Sequence, residues 1–143
     1  MEEQMKYKVI DNPNYTNVMV VGIKIEPENE PLKFFFTTMR LHTYPELIQD
    51  ILNDRGYLGD PQGVIFYSDL DEEDFANNDI FAEDHVKIYH HVFGECIIQK
   101  TIFKKMVYDF SSKLLVAYNQ NQNLPNNWHT ELKRNLEILK KQI

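Results

Sequence analysis

The chain is expected to fold as a single α+β domain, with a mainly antiparallel sheet, one helix among its strands, and an antiparallel helix pair at the carboxyl end packed on one face. Three observations lead there. Segments of strand composition occupy much of the first two-thirds, two amphipathic helical stretches fill the last third, and 143 residues with 43% apolar content suffice for one core but not for two ordinary domains. No repeat, low-complexity tract or Gly/Ser linker divides the chain, so one domain over residues 1–143 is the reading.

The elements follow in order. Residues 7–10 and 17–25 read as strands, the second alternating Val18, Val20, Gly22 against Met19, Val21, Ile23; its unbroken apolar run suggests a strand covered on both sides. Residues 33–41, opening with Phe34, Phe35 and Phe36, read as a third strand, with turns at residues 11–14 and 26–31. Residues 44–53 make a helix. Thr43 is placed to cap it, Pro45 suits its first turn, Glu46 stands where a capping box requires, and Gly56 stops it. Leu47, Ile48, Ile51 and Leu52 recur at helical spacing as its buried face.

Residues 63–68 form a short β-branched and aromatic strand, and residues 85–98 a longer stretch that Gly94 divides. A helix over residues 101–119 carries Ile102, Phe103, Met106, Phe110, Leu114 and Ala117 on one stripe. Another, over residues 126–142, carries Trp128, Leu132, Leu136 and Leu139, with Ile143 following. The connector at residues 119–125 is short, so the two helices are expected to be antiparallel neighbours.

Charge is distributed unevenly. Acids outnumber bases by 22 to 15, for a formal charge of −7, which disfavours direct binding of nucleic acid. Residues 69–84 hold eight acids (Asp69, Asp71, Glu72, Glu73, Asp74, Asp79, Glu83 and Asp84) and no base, while the rest of the chain is nearly neutral. Such a segment between two strands should be an exposed loop or hairpin extension, because single buried carboxylates are costly. Phe75, Ile80 and Phe81 lie within it. Aromatic anchors ringed by acids suit a protein interface with a basic partner; the alternative is a solvated face over inward-turned phenylalanines.

Known chemistries fit poorly. An EF-hand beginning at Asp69 puts Asp74 at the glycine position and Ile80 at the closing glutamate position; beginning at Asp71, those positions fall on Ala76 and Ala82. His85, His90 and His91 lie near Cys96, but strand alternation puts His90 and Cys96 with Val86, Ile88 and Val92, and His85 and His91 with Tyr89 and Phe93. Zinc would need a further ligand, for which His42 and His129 are the remaining histidines. The acid-x-Lys pattern of metal-dependent nucleases is missed, since His85 and Ile98 precede Lys87 and Lys100 by two. There is no Gly-rich phosphate loop or nucleophile elbow, and Cys96 beside Glu95 is expected to be an unreactive packed thiol. No catalytic residue, cofactor or metal is therefore expected.

Cys96 is the only cysteine, so no intrachain disulfide forms and a reducing, cytoplasmic setting is expected. The first thirty residues lack a basic leader and a cleavage site, and the run from Val18 to Ile25 is too short to span a bilayer, so no membrane association is expected. Residues 98–143 hold eight Lys or Arg against three acids; Lys133, Arg134, Lys140 and Lys141 fit the last helix, where cations near its end favour the macrodipole.

The order GVIFYSD, an acidic loop with spaced aromatics, a strand through Tyr89 to Ile98, a helix, and a last helix beginning near Trp128 resembles small α+β immunity proteins of bacterial contact-dependent growth inhibition and related polymorphic-toxin systems. The resemblance covers residues 62–143 and lies in layout and acidic character. It implies a cytoplasmic protein that binds a toxin domain, often a basic nuclease, and blocks it. The expected function is thus a non-enzymatic inhibitor of a basic cognate toxin domain, acting as a monomer or weak homodimer through Asp69, Asp71, Glu72, Glu73, Asp74, Phe75, Asp79, Phe81, Glu83 and Asp84. The alternatives are a general protein interaction domain without inhibitory role and, ranked below it, a metal-dependent enzyme built on the residues 85–96 stretch.

Overall fold

The computed structural model describes residues 5–11, 20–119 and 123–143. The chain is α+β, and the described residues form five α-helices and two antiparallel sheets instead of one. Strands β1 (Lys6–Asp11) and β2 (Val21–Glu26) form a two-stranded ribbon in which Val9 faces Ile23. β2 turns Val21, Ile23 and Ile25 inward and exposes Lys24 and Glu26, so it is solvated on one side and not covered on both. The turn expected at residues 11–14 and the start of the strand expected at residues 17–25 fall largely outside the described residues.

The strand expected over residues 33–41 is a helix, α1 (Glu30–Thr38). Asn29 Oδ1 accepts the Leu32 N–H at 3.1 Å, and Pro31 lies at the helix start, where its missing donor costs nothing. Leu32, Phe35, Phe36 and Met39 then share the buried side, spaced at three and four residues. The phenylalanine triplet carries strand propensity, but this cap and spacing outweigh it.

α2 (Tyr44–Leu52) lies where expected, but its capping box is absent. Thr43 is itself helical, at φ −80° and ψ −22°, because a 3₁₀ turn at Leu41–Thr43 leads directly into α2; its hydroxyl makes no capping bond. A three-stranded sheet follows in the order β3 (Gln62–Phe66), β4 (His85–His90), β5 (Gly94–Gln99), antiparallel throughout. Gly94 divides the last two as expected, at φ +98°, a conformation glycine adopts without strain. Val92, expected to share a strand face with Val86 and Ile88, sits instead in that turn and is exposed.

Helices α4 (Lys100–Ala117) and α5 (Trp128–Lys140) close the fold. α1 and α4 each pack against both sheets, while α5 packs on α2 and α4 as an outer layer. Phe36 and Phe110 rings lie 5.1 Å apart, Phe35 and Phe103 5.7 Å, and all four side chains are fully buried, so this aromatic group joins α1 to α4. Three side chains on the helices bond backbone carbonyls outside their own element. Trp128 Nε1 donates to the Leu41 carbonyl at 2.7 Å, Asn135 Nδ2 to that of Pro45 at 3.0 Å, and Tyr44 Oη to that of Phe36 at 2.7 Å. Ala117 and Ile143, placed on the apolar stripes by spacing, are exposed at the ends of their helices.

Candidate functional site

The acidic segment leaves β3, runs through a 3₁₀ turn at Tyr67–Asp69 and a short helix, α3 (Glu72–Ala76), and returns as β4. Because β3 and β4 pair antiparallel, it is the hairpin extension of the two forms expected, folded into a small lobe. Its carboxylates divide into three groups: those bonded to backbone, those paired with a basic side chain and, among the described residues, those with neither. Asp69 Oδ2 accepts the Phe66 N–H at 2.8 Å. Asp71 Oδ1 accepts the Asp74 N–H at 2.9 Å while Asp74 Oδ2 accepts the Asp71 N–H at 3.0 Å, a reciprocal box that starts α3. Asn78, at φ +56°, ends the helix in the left-handed conformation that asparagine tolerates. These bonds occupy individual carboxylate oxygens without cancelling charge.

Two acids do pair with side-chain nitrogens. Asp79 Oδ1 lies 3.3 Å from Lys87 Nζ, which also lies 3.4 Å from Glu95 Oε2. Burial alone would lower the pKa of Lys87, but Asp79 and Glu95 outweigh it and hold the ammonium above its usual range. Asp84 Oδ1 meets His85 Nδ1 at 2.6 Å. Among the described residues, Glu72, Glu73 and Glu83 have no ion-pair partner and all three are exposed. Most of the lobe's negative charge therefore reaches solvent.

Five of the ten expected site residues meet at one cleft of about 230 Å³. Asp69, Asp71, Asp74, Asp79 and Phe81 line it together with Leu58, Ile65, Leu70 and Lys87. Leu58 is 74% exposed, so one wall is an apolar side chain presented to solvent. Phe75 lies outside the cleft, 46% exposed, with the Tyr67 ring edge-on at 6.0 Å; it is neither a buried lid nor part of the core. Glu72 and Glu73 stand on the exposed side of α3. Glu83 instead lines a separate cavity of about 90 Å³ with Asp54, Ser68 and Lys100.

Leu58, Ile65, Leu70 and Lys87 were not singled out from sequence. Alternation could have found Ile65 and Lys87, which face each other across β3 and β4 on the side opposite the core. Leu58 and Leu70 carry no comparable signal, because both lie outside regular elements.

The histidine and cysteine stretch is dispersed. His91 is exposed and pairs with Asp60 at 2.9 Å, whereas His90 is buried and its Nδ1 accepts the Val92 N–H at 3.2 Å. Cys96 faces inward opposite Ile88, and burial pushes its thiol above the usual range, with Asn29 opposing and Glu95 adding to the shift. Among the described residues, no three His, Cys, Asp or Glu side chains converge as a metal site would need. The basic residues Lys133 and Arg134 line an open groove of about 610 Å³ between α4 and α5 with Leu115, His129 and Glu137. Among the described residues, no helix is long and apolar enough to cross a membrane. Compared with protein-family models, with curated proteins and with solved structures, the chain matches none.

Proposed function

We propose that this chain is a non-enzymatic inhibitor that captures a basic protein domain, in the manner of a bacterial immunity protein neutralising its cognate toxin in the cytoplasm. The observation that carries the reading is the cleft. Four carboxylates, one of them paired with Lys87, share the cleft with the apolar side chains of Leu58, Ile65, Leu70 and Phe81, so a cationic side chain can meet the acids while an apolar one displaces water from its neighbours. Asp71 and Asp74 are held by backbone bonds, which fixes their positions before a partner arrives and lowers the ordering cost of binding. Glu72 and Glu73 extend the field outward and serve to steer the approach. A nuclease fits as target, since its own cleft is basic to receive a polyanion.

A test is rescue from toxicity. A candidate basic toxin domain, sought as the carboxyl-terminal domain of a secreted protein encoded next to this chain, is expressed alone and then together with the chain. Growth arrest relieved by the chain, and restored when Leu58→Asp and Phe81→Ala are introduced into it, is the expected result. Arrest that persists in the presence of folded chain refutes the proposal. The alternative, a general interaction domain, predicts binding through the apolar patch that hardly changes with salt.

A further inference from the structure

The two edges of the three-stranded sheet are treated differently. In an antiparallel ladder, residue pairs that exchange backbone hydrogen bonds alternate with pairs that do not. The Lys100 N–H donates to the Asp84 carbonyl at 2.7 Å, continuing the β4–β5 register. By alternation, Val86–Ile98, Ile88–Cys96 and His90–Gly94 exchange the bonds between these strands, and Glu95, Ile97 and Gln99 turn their N–H and C=O groups to the outer edge. The same reasoning from the bond between His91 N–H and the Pro61 carbonyl, at 2.8 Å, turns Gln62, Val64 and Phe66 of β3 toward the opposite edge.

That opposite edge is closed. Tyr57 and Val64 exchange two backbone bonds, at 3.0 and 2.8 Å, and Asp69 takes the Phe66 N–H. Along β5, by contrast, nothing among the described residues pairs with the outward groups of Glu95, Ile97 and Gln99; these three residues are exposed, Ile97 at 50%. The strand GECIIQ contains no lysine or proline, and its one charged side chain, Glu95, is paired with Lys87.

We propose that β5 pairs antiparallel with β5 of a second copy, about a two-fold axis at Ile97, joining the two sheets into one of six strands. In this register Ile97 faces Ile97 and Glu95 faces Gln99 in both directions, so the outward groups of all three residues find partners at once. The side chains agree with it. Ile97 meets its own copy on the solvent side of the sheet, the Gln99 amide meets the Glu95 carboxylate, and Cys96 meets Ile98 on the inner side. An axis at Glu95 would oppose like charges, and one at Gln99 would bring Ile97 against Thr101, where α4 has begun.

Charge also favours a second copy over a foreign basic strand. Glu95 is the only acid on β5, and Lys87 already lies 3.4 Å from it. The acidic lobe adjoins the end of the sheet where His85 faces Gln99, so the two-fold places the two lobes at opposite ends of the joined sheet, and the lobe residue nearest the seam, Asp79, shares Lys87 with Glu95. This pairing leaves the acidic cleft uncovered and does not depend on the inhibitor proposal.

Sedimentation equilibrium of the full chain from about 1 µM to about 500 µM, a range covering weak to moderate association, tests it. The mass should rise from 17.0 kDa toward twice that value. Ile97→Lys and Ile97→Pro should both hold the single-chain mass with unchanged circular dichroism, because the Ile97 side chain is exposed and, among the described residues, its N–H has no acceptor. Facing residues of a bonded antiparallel pair have Cα atoms about 5.5 Å apart, within disulfide reach, so Ile97→Cys in a Cys96→Ser background should yield a covalent dimer on oxidation. A single-chain mass throughout, or a dimer indifferent to Ile97→Lys, overturns the proposal. Should Ile97→Pro fail to fold, Ile97→Lys and the cross-link decide.

Discussion

Asp71 both carries charge and holds the lobe in shape, and the two roles can be separated. Its Oδ1 accepts the Asp74 N–H at 2.9 Å, and its own N–H is held by Asp74 Oδ2 at 3.0 Å. Asparagine caps a helix about as well as aspartate, so Asp71→Asn removes one charge and keeps the bond, whereas Asp71→Ala removes both. Loss of an exposed cap costs about 1 kcal/mol, which corresponds to roughly fivefold more opening of the capped turn. α3 has only five residues and no buried side chain to stabilise it otherwise, so the effect should stay local. Amide hydrogen exchange read at Asp74 and Phe75 is the assay. Exchange about fivefold faster in Asp71→Ala, little changed in Asp71→Asn, and unaltered in the core helices is expected. Equal exchange in both variants would refute the view that hydrogen bonding, and not charge, orders the lobe.

Further outcomes follow from groups in the body of the fold. Burial, and after it His91, hold the His90 imidazole below its usual value, and among the described residues its buried Nε2 has no hydrogen-bond partner. The unfolded chain therefore takes up the proton first, so this contribution to stability is full above about pH 6.5 and falls as pH drops toward the lowered pKa. Urea midpoints should show this slope in the wild type and a shallower one in His90→Phe; equal slopes would remove His90 from it. Burial pushes the Asp54 carboxyl up, but hydrogen bonds from Lys104 and Lys100, at 2.7 and 3.0 Å, outweigh it and hold it below its usual range. Asp54→Asn, which tolerates the φ of +51° at this position, should cost about 1–2 kcal/mol in urea unfolding, because Lys104 is buried and keeps only Gln142 as a full partner. A loss below about 0.3 kcal/mol would contradict that assignment. Tyr7 Oη donates to Asp109 Oδ2 at 2.6 Å and ties β1 to α4, so Tyr7→Phe should lose about 1–2 kcal/mol in the same assay; an unchanged midpoint would show the bond to be dispensable.

What could be read from sequence depended on how far each signal was local. The two carboxyl-terminal helices were legible from their 3.6-residue spacing, and the break between β4 and β5 from Gly94, whose φ of +98° favours glycine. α1 was misread because Phe34, Phe35 and Phe36 have strand propensity, while the helical spacing of Leu32, Phe35, Phe36 and Met39 begins one residue before the segment read as a strand. Thr43 has the right spacing for a capping box, but the 3₁₀ turn before it was invisible to spacing alone. At the site, the acids were legible as composition. Their sorting into capping groups, a lysine pair and free charge was not, because it depends on backbone turns and on Lys87, which lies outside the segment in sequence and reaches it only through sheet register.

The central claim is that negative field from the lobe, with no reactive group involved, draws in a basic partner. Glu72, Glu73 and Glu83 are the carboxylates to remove, since neither cap nor ion pair uses them among the described residues. In water at about 10 mM salt, a unit charge about 8 Å from an opposite one contributes roughly 0.4 kcal/mol after screening, so three together are worth about eightfold in association rate. The direct measurement is the association rate of the basic domain with wild type and with the combined Glu72→Gln, Glu73→Gln, Glu83→Gln variant, followed from about 10 mM to about 500 mM salt. A wild-type rate that falls steeply, and a variant about eightfold slower at low salt that converges with it at high salt, is the expected result. Superimposed curves at every salt concentration would contradict the claim.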